Sequence, residues 1–189
     1  MLAGVLVAAC TVDWTAGSAA PVPSSQARPS GVVELLPRPF EVRLDGVDPC
    51  SLLTEQQRAE LGLDGRPVSS RSPVGLYPGG EVPACDIRGF EPRAVTSGIS
   101  LVTTVGIERF TSGELAAEIR PIDVRDFPAV VAVPTRFTDY CTVVVDVAPG
   151  QLLDVQFRNG GGRPPVPQPQ LCRDAESVAE AAMATLLGR

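Results

Sequence analysis

The sequence predicts an α+β domain: an antiparallel sheet of about five strands, covered by an N-terminal and a C-terminal helix. Three patterns carry this. Segments in the middle of the chain place apolar residues at every second position, the period of a half-buried strand. The last twenty or so residues carry an apolar stripe at spacings of three and four, the period of a packed helix. Helix-capping residues stand before the first strand candidate. Strands grouped between helices, and not alternating with them, indicate α+β and not parallel α/β.

The elements follow in order. Asp48 suits an N-cap and Pro49 the first helical position. Thr54 with Gln57 can form a second capping box, and Gly62 should end that helix just after Leu61. Ala84 to Arg88 alternates, with Cys85 and Ile87 on one face. Ile99 to Val105 is β-branched and mostly apolar. A short helix is expected over Gly113 to Ile119. Val124 to Val133 is a further strand, where Pro128 indicates an edge or a bulge. In Cys141 to Val147, the residues Cys141, Val143, Val145 and Val147 share a face. A turn at Ala148-Pro149-Gly150-Gln151 leads to a fifth strand with Leu153, Val155 and Phe157. The closing helix aligns Leu171, Ala175, Val178, Ala182 and Leu186, with Arg173, Glu176 and Glu180 opposite.

Composition removes several chemistries. The net charge is −6, there is no histidine, and every one of the 16 cationic residues is Arg. Without histidine, neither Ser-His-Asp nor Cys-His activation can occur within the chain, and imidazole metal ligands are excluded. Without lysine, Schiff bases and the P-loop lysine are excluded too. An acidic chain with no basic cluster argues against nucleic acid as a partner and against electrostatic adhesion to anionic lipid. No apolar run approaches the roughly 18–20 residues that span a bilayer.

The N-terminus points to export. Leu6-Val7-Ala8-Ala9-Cys10 closes an apolar run on small residues and a cysteine, in the manner of a bacterial lipobox whose cysteine carries the lipid, palmitate included. Only nine residues precede Cys10 and none is basic, whereas a secretory signal runs about 15–30 residues from a charged start. The expectation is a truncated lipoprotein signal over 1–10, with the natural start upstream of Met1. Residues 11–39, rich in Pro, Ser and Gly, read as a flexible tether, and Trp14 could rest at the membrane interface. Residues 40–189 form a single globular domain, long enough to fold alone.

With Cys10 set aside, Cys50, Cys85, Cys141 and Cys172 remain. An even number in an exported chain indicates disulfides, and none forms a C-x-x-C pair. Four cysteines allow three connectivities. The expected one is Cys50–Cys172 with Cys85–Cys141: the first two lie near the starts of terminal helices, the others on core faces of strands. The alternative is Cys50–Cys85 with Cys141–Cys172.

Taken in order, these pieces resemble the actinobacterial lipoproteins catalogued as domain of unknown function 3558. They are the lipobox, Asp48-Pro49-Cys50-Ser51-Leu52-Leu53-Thr54, Cys85, and Val124-Arg125-Asp126-Phe127-Pro128-Ala129. Cys141-Thr142-Val143-Val144-Val145, Gly150-Gln151-Leu152-Leu153 and Cys172-Arg173-Asp174-Ala175 complete the set. Asp126 stands where that pattern leads one to expect glycine. The resemblance implies a cell-envelope lipoprotein and no particular activity. The arrangement is also similar to PsbP-type folds.

The sequence offers four candidate sites. Asp123, Asp126, Asp146 and Asp154 could gather for calcium or acid–base work, but calcium loops need denser oxygen spacing, and solvated strand and turn charges fit better. Asn159-Gly160-Gly161-Gly162 could cradle phosphate, but prolines follow where a helix N-terminus is required. Ser100 in Gly98-Ile99-Ser100-Leu101-Val102 lacks the second glycine of a nucleophile elbow and reads as a plain strand residue. Tyr140 reads as a packed aromatic.

The functional expectation is therefore a non-enzymatic domain, lipid-anchored at Cys10 on the extracytoplasmic face of the cell membrane. It would bind an envelope protein or a small ligand, without metal or cofactor. Two alternatives stand beside it. One is a carboxylate-dependent cell-wall glycan hydrolase using two acids at a suitable separation. The other is an extracellular sensor or transporter accessory domain.

Overall fold

A computed structural model describes residues 32–72 and 77–189. Cys10, the lipobox and Trp14 lie outside the described residues.

The chain enters through two small capped turns. Asp48 caps a single 3-10 turn, Pro49–Ser51, by accepting from the Cys50 N–H at 3.0 Å. Helix α1, Glu55–Glu60, follows. Its capping box is complete: Thr54 Oγ1 accepts from the Gln57 N–H at 3.2 Å, and Gln57 Oε1 accepts from the Thr54 N–H at 2.8 Å. Gly62, at φ +68°, turns the chain out of the helix after Leu61, in a conformation that costs glycine little.

Among the described residues the sheet has seven strands, not five, and every pairing is antiparallel. The strands are β1 Val68–Ser72, β2 Val82–Gly89, β3 Val95–Val102, β4 Ala117–Val124, β5 Phe127–Pro134, β6 Tyr140–Ala148 and β7 Gln151–Asn159. Their spatial order is β1-β2-β3-β7-β6-β5-β4. Helix α3, Gln168–Leu187, lies across β6 and β7.

The two extra strands are the edges. β1 is Val-Ser-Ser-Arg-Ser, without apolar alternation; it is held by backbone pairing to β2. β4 takes the last part, from Ala117, of the helix expected over Gly113 to Ile119, residues 113–116 are bends and loop, and the short helix, α2, lies earlier at Glu108–Thr111. Glu114-Leu-Ala-Ala-Glu is strong helix former by composition, but tertiary packing overrides it. Ala117 and Ile119 pack on one face of the sheet, while Arg120 on the other reaches Glu176 of α3. The single strand expected over Val124 to Val133 is instead the end of β4, a turn, and β5. Arg125 and Asp126 both hold positive φ, 53° and 66°, as a two-residue type I′ hairpin demands.

One face of the sheet meets α3. Cys85, Ile99, Val131, Val143, Val155 and Phe157 point there, against Leu171, Ala175, Val178, Ala182 and Met183. The opposite face carries a smaller apolar cluster of Val82, Val102, Val130, Val144 and Leu152, roofed by Tyr77 and Phe110. The N-terminal strand-like segment clamps the far end of the sheet. The Val42 N–H donates to the Val147 carbonyl at 2.8 Å, the Leu44 N–H to Gln151 Oε1 at 2.8 Å, and Arg38 pairs with Asp146. The last part of the expected tether, residues 32–39, is therefore docked: Leu35 packs against the second cluster, and the Val33 N–H donates to the Thr111 carbonyl at 3.1 Å.

The disulfides correct the expected connectivity. They are Cys50–Cys85 and Cys141–Cys172, each with Cα atoms 5.0 Å apart. The strand order gives the reason. β2 and β6 are three strand positions apart, about 14 Å at roughly 4.8 Å per step, twice the roughly 7 Å that a disulfide tolerates. The Cys50 turn packs on β2, whereas the start of α3 lies over β6, so each cysteine meets the partner beneath it. By loop entropy each bridge contributes about 4 kcal/mol.

Candidate functional site

The second face of the sheet is only partly roofed, and a cavity of about 280 Å³ opens on it. Its floor is the outward side of three strands: Ala132 of β5, Tyr140 and Thr142 of β6, and Asp154 and Gln156 of β7. Phe110 and Leu115, from the α2 region, close one side, and Phe137 with Arg136, from the β5–β6 connection, stand at another. Tyr140 and Phe137 pack with ring centroids 6.2 Å apart. The size lies just below that of common ligand pockets, which run about 300–1,000 Å³.

Asp154 is the unusual group. It is 8 % exposed, between the apolar Leu153 and Val155 of β7 and flanked by Val144 on β6 and Ser100 on β3. Tyr77 Oη donates to Asp154 Oδ2, while Asp154 Oδ1 is buried with no hydrogen-bond partner among the described residues. Burial disfavours the charged carboxylate and pushes its pKa up to about 6, against the opposing pull of the Tyr77 hydrogen bond. The Tyr77 phenol is pushed up in turn, first by burial and then by the Asp154 charge. Tyr77 therefore stays a donor at ordinary pH, fixing the carboxylate to the wall. The Tyr140 hydroxyl is also raised, by burial and then by Asp139.

Two other hollows are built differently. One of about 340 Å³ lies beside β1 and β2 among Arg66, Arg88 and Arg158, where Asp86 sits 3.8 Å from Arg158. One of about 650 Å³ lies between β4 and α3 among Asp123, Arg173, Glu176 and Glu180. In that hollow Glu176 and Glu180 already pair with Arg120 and Arg125. Both are larger, yet neither holds a buried acid.

The four candidate aspartates do not form one site. Asp123 and Asp126 lie at the exposed β4–β5 end, away from the sheet centre. Asp146 and Asp154 are diagonal neighbours across β6 and β7. Asp146 is tied to Arg38; burial raises its pKa, and the Arg38 contact pulls it back. Among the described residues no three acids or cysteines gather as a metal would require. The Asn159–Gly162 stretch is a packed corner, not a cradle. Asn159 bonds Val166 through both side-chain atoms, at 3.1 and 2.7 Å, and a Cβ on Gly160 would sit 2.8 Å from the Ala94 carbonyl carbon. Ser100 lies across from Asp154, on the same face. Tyr140 is the packed aromatic expected, and it also walls the cavity.

In the sequence Tyr77 stands out only as one of two phenols left for catalysis, and Phe110 and Phe137 do not stand out. One signal was present: Leu152-Leu153-Asp154-Val155 sets an acid between residues facing both sides of a sheet, and Asp is seldom fully buried without a partner.

Fold and site together define an α+β domain with one helix-covered face and one face bearing a small, partly aromatic cavity around a buried acid. The chain belongs to the family described as protein of unknown function (DUF3558), which matches residues 5–185. Neither a curated protein nor a solved structure matches the chain.

Proposed function

We propose that the protein is a non-catalytic binding domain, lipid-anchored through Cys10 on the outer face of the cytoplasmic membrane, that takes a small ligand in the Asp154 cavity. The observation carrying this reading is the pairing of a ligand-sized, partly aromatic cavity with a buried carboxylate that is only half satisfied. Two disulfides fit an oxidising compartment, as export requires. An antiparallel sheet under a terminal helix fits the PsbP-type likeness. Hydrolysis of a glycan would call on two acids facing one substrate. Among the described residues Asp154 is the one acid lining this cavity, and Asp146 is held by Arg38. A sensor or transporter accessory role would use the same cavity.

Two experiments test the parts separately. Detergent phase partitioning of the protein made in its native host should send it to the detergent phase and the Cys10→Ser variant to the aqueous phase; equal partitioning overturns the anchor. A small-molecule screen by thermal shift should yield ligands whose effect disappears in Ala117→Phe, which fills the cavity from its edge strand. Hits that stabilise both proteins equally would place binding elsewhere.

A further inference from the structure

Resting on that reading of the cavity, we infer that its ligand is a compact organic cation, a primary amine or a guanidine or amidine carrying a short apolar body. The argument starts from what Asp154 lacks. A buried carboxylate ordinarily has a cationic partner or a full set of donors, because an isolated charge in a low-dielectric wall is costly. Among the described residues a single neutral donor, the Tyr77 hydroxyl, holds one oxygen, and the other has none. Asp146, its diagonal neighbour, shows the contrast: it sits at similar burial and receives Arg38. The chain thus supplies a guanidinium to one acid of this face and not to the other, which lines the cavity.

The rest of the wall suits the same occupant. Phe110, Phe137 and Tyr140 line the space, and aromatic rings attract ammonium and guanidinium groups. Thr142 and Gln156, on the floor beside Asp154, offer oxygen acceptors for the remaining N–H groups. A volume of about 280 Å³ accommodates about nine water-sized groups at roughly 30 Å³ each, which limits the body to one small ring or short chain. Arg136 belongs to the wall as well, but its residue is exposed, so water screens its charge far more than that of Asp154.

Competition with the proton gives the reading a signature. The groups around Asp154 are few. Tyr77 bears on it directly, Tyr140 and Arg136 share its cavity, and Asp146 with Arg38 and Glu108 lies diagonally beyond. The chain has no histidine. With Asp154 titrating near 6, its charged fraction falls about tenfold from pH 8 to pH 5, and cation affinity should fall with it.

The test is calorimetric titration of the full chain with three matched probes: benzylamine, benzyl alcohol and benzoate. Benzylamine should bind, at least tenfold more tightly than the alcohol, with benzoate weakest. Its affinity should drop about tenfold at pH 5 and by a similar factor in Asp154→Asn. Thr142→Val should weaken it a few-fold, and serves if Asp154→Asn is poorly folded. Alcohol or benzoate binding as well as the amine, with that binding lost in Ala117→Phe, would overturn the cationic ligand while leaving the cavity as a binding site. Amine binding indifferent to both Asp154→Asn and pH would overturn it as well. Failure of all three probes, together with an empty small-molecule screen, would overturn both readings.

Discussion

The covered and open faces of this sheet are built from the same strands, taken at alternate positions. On β7, Leu153, Val155 and Phe157 point at α3, while Leu152, Asp154 and Gln156 point the other way. On β6, Val143 and Val145 oppose Thr142, Val144 and Asp146. The covered face is apolar apart from the buried Ser97 of β3, and it is stapled twice, by Cys50–Cys85 near β2 and by Cys141–Cys172 under α3. The open face is apolar only where Tyr77 and Phe110 roof it, and polar where the roof stops. The difference teaches where stability and function are separated. The helix side carries the folding energy, which frees the other side to hold a group that folding alone would not select.

Substitutions can break or sharpen that contrast. The largest expected effect is on the covered face: Phe157→Ala, fully buried against α3, should cost about 3–5 kcal/mol in denaturant unfolding. Its chain neighbour Gln156, half-buried on the open face, should cost under about 0.5 kcal/mol when changed to Ala. Equal costs would erase the distinction between the faces.

Next comes Asp154 itself. Its pKa is raised on folding, so the folded state binds the proton more tightly than the unfolded chain. Stability tied to this group is therefore fully present below about pH 4 and is lost as pH rises through about 6. Asp154→Asn removes the charge and keeps an acceptor for Tyr77. It should stabilise the free protein by on the order of 2 kcal/mol at pH 8, with almost no effect at pH 4. A destabilised variant at pH 8 would mean that the charge serves folding, not a ligand.

The smallest expected effect lies at the hairpin. Asp126 holds φ 66°, which glycine adopts without strain. Asp126→Gly should raise stability by about 0.5–1 kcal/mol, read as a shift in the unfolding midpoint. It restores the residue that the family resemblance leads one to expect there.

Much of this was legible in the chain. Both N-terminal caps, strands β2, β6 and β7, and the stripe of α3 follow from local chemistry and from periods of two and 3.6. What was not legible depends on neighbours distant in sequence. β1 is polar and exists because β2 offers it an edge. β4 has helix-forming residues and is drawn into the sheet by its turn and by β5. The disulfide pairing depends on strand order, which places β3 and β7 between Cys85 and Cys141. Of the site, Asp154 and Tyr140 were visible as residues, but only as one of four scattered acids and a packed ring. The cavity needs Phe110 and Phe137 brought over the strands from separate connections, and no local pattern in the chain encodes that approach.

The most direct measurement is the pKa of Asp154 itself, followed by carbon-13 NMR of its carboxyl group in the free protein and with saturating benzylamine. A titration near 6 that falls by one unit or more when the amine is bound is the outcome expected of a half-satisfied acid awaiting a cation. A titration near 4 in the free protein, unmoved by the amine, would contradict it.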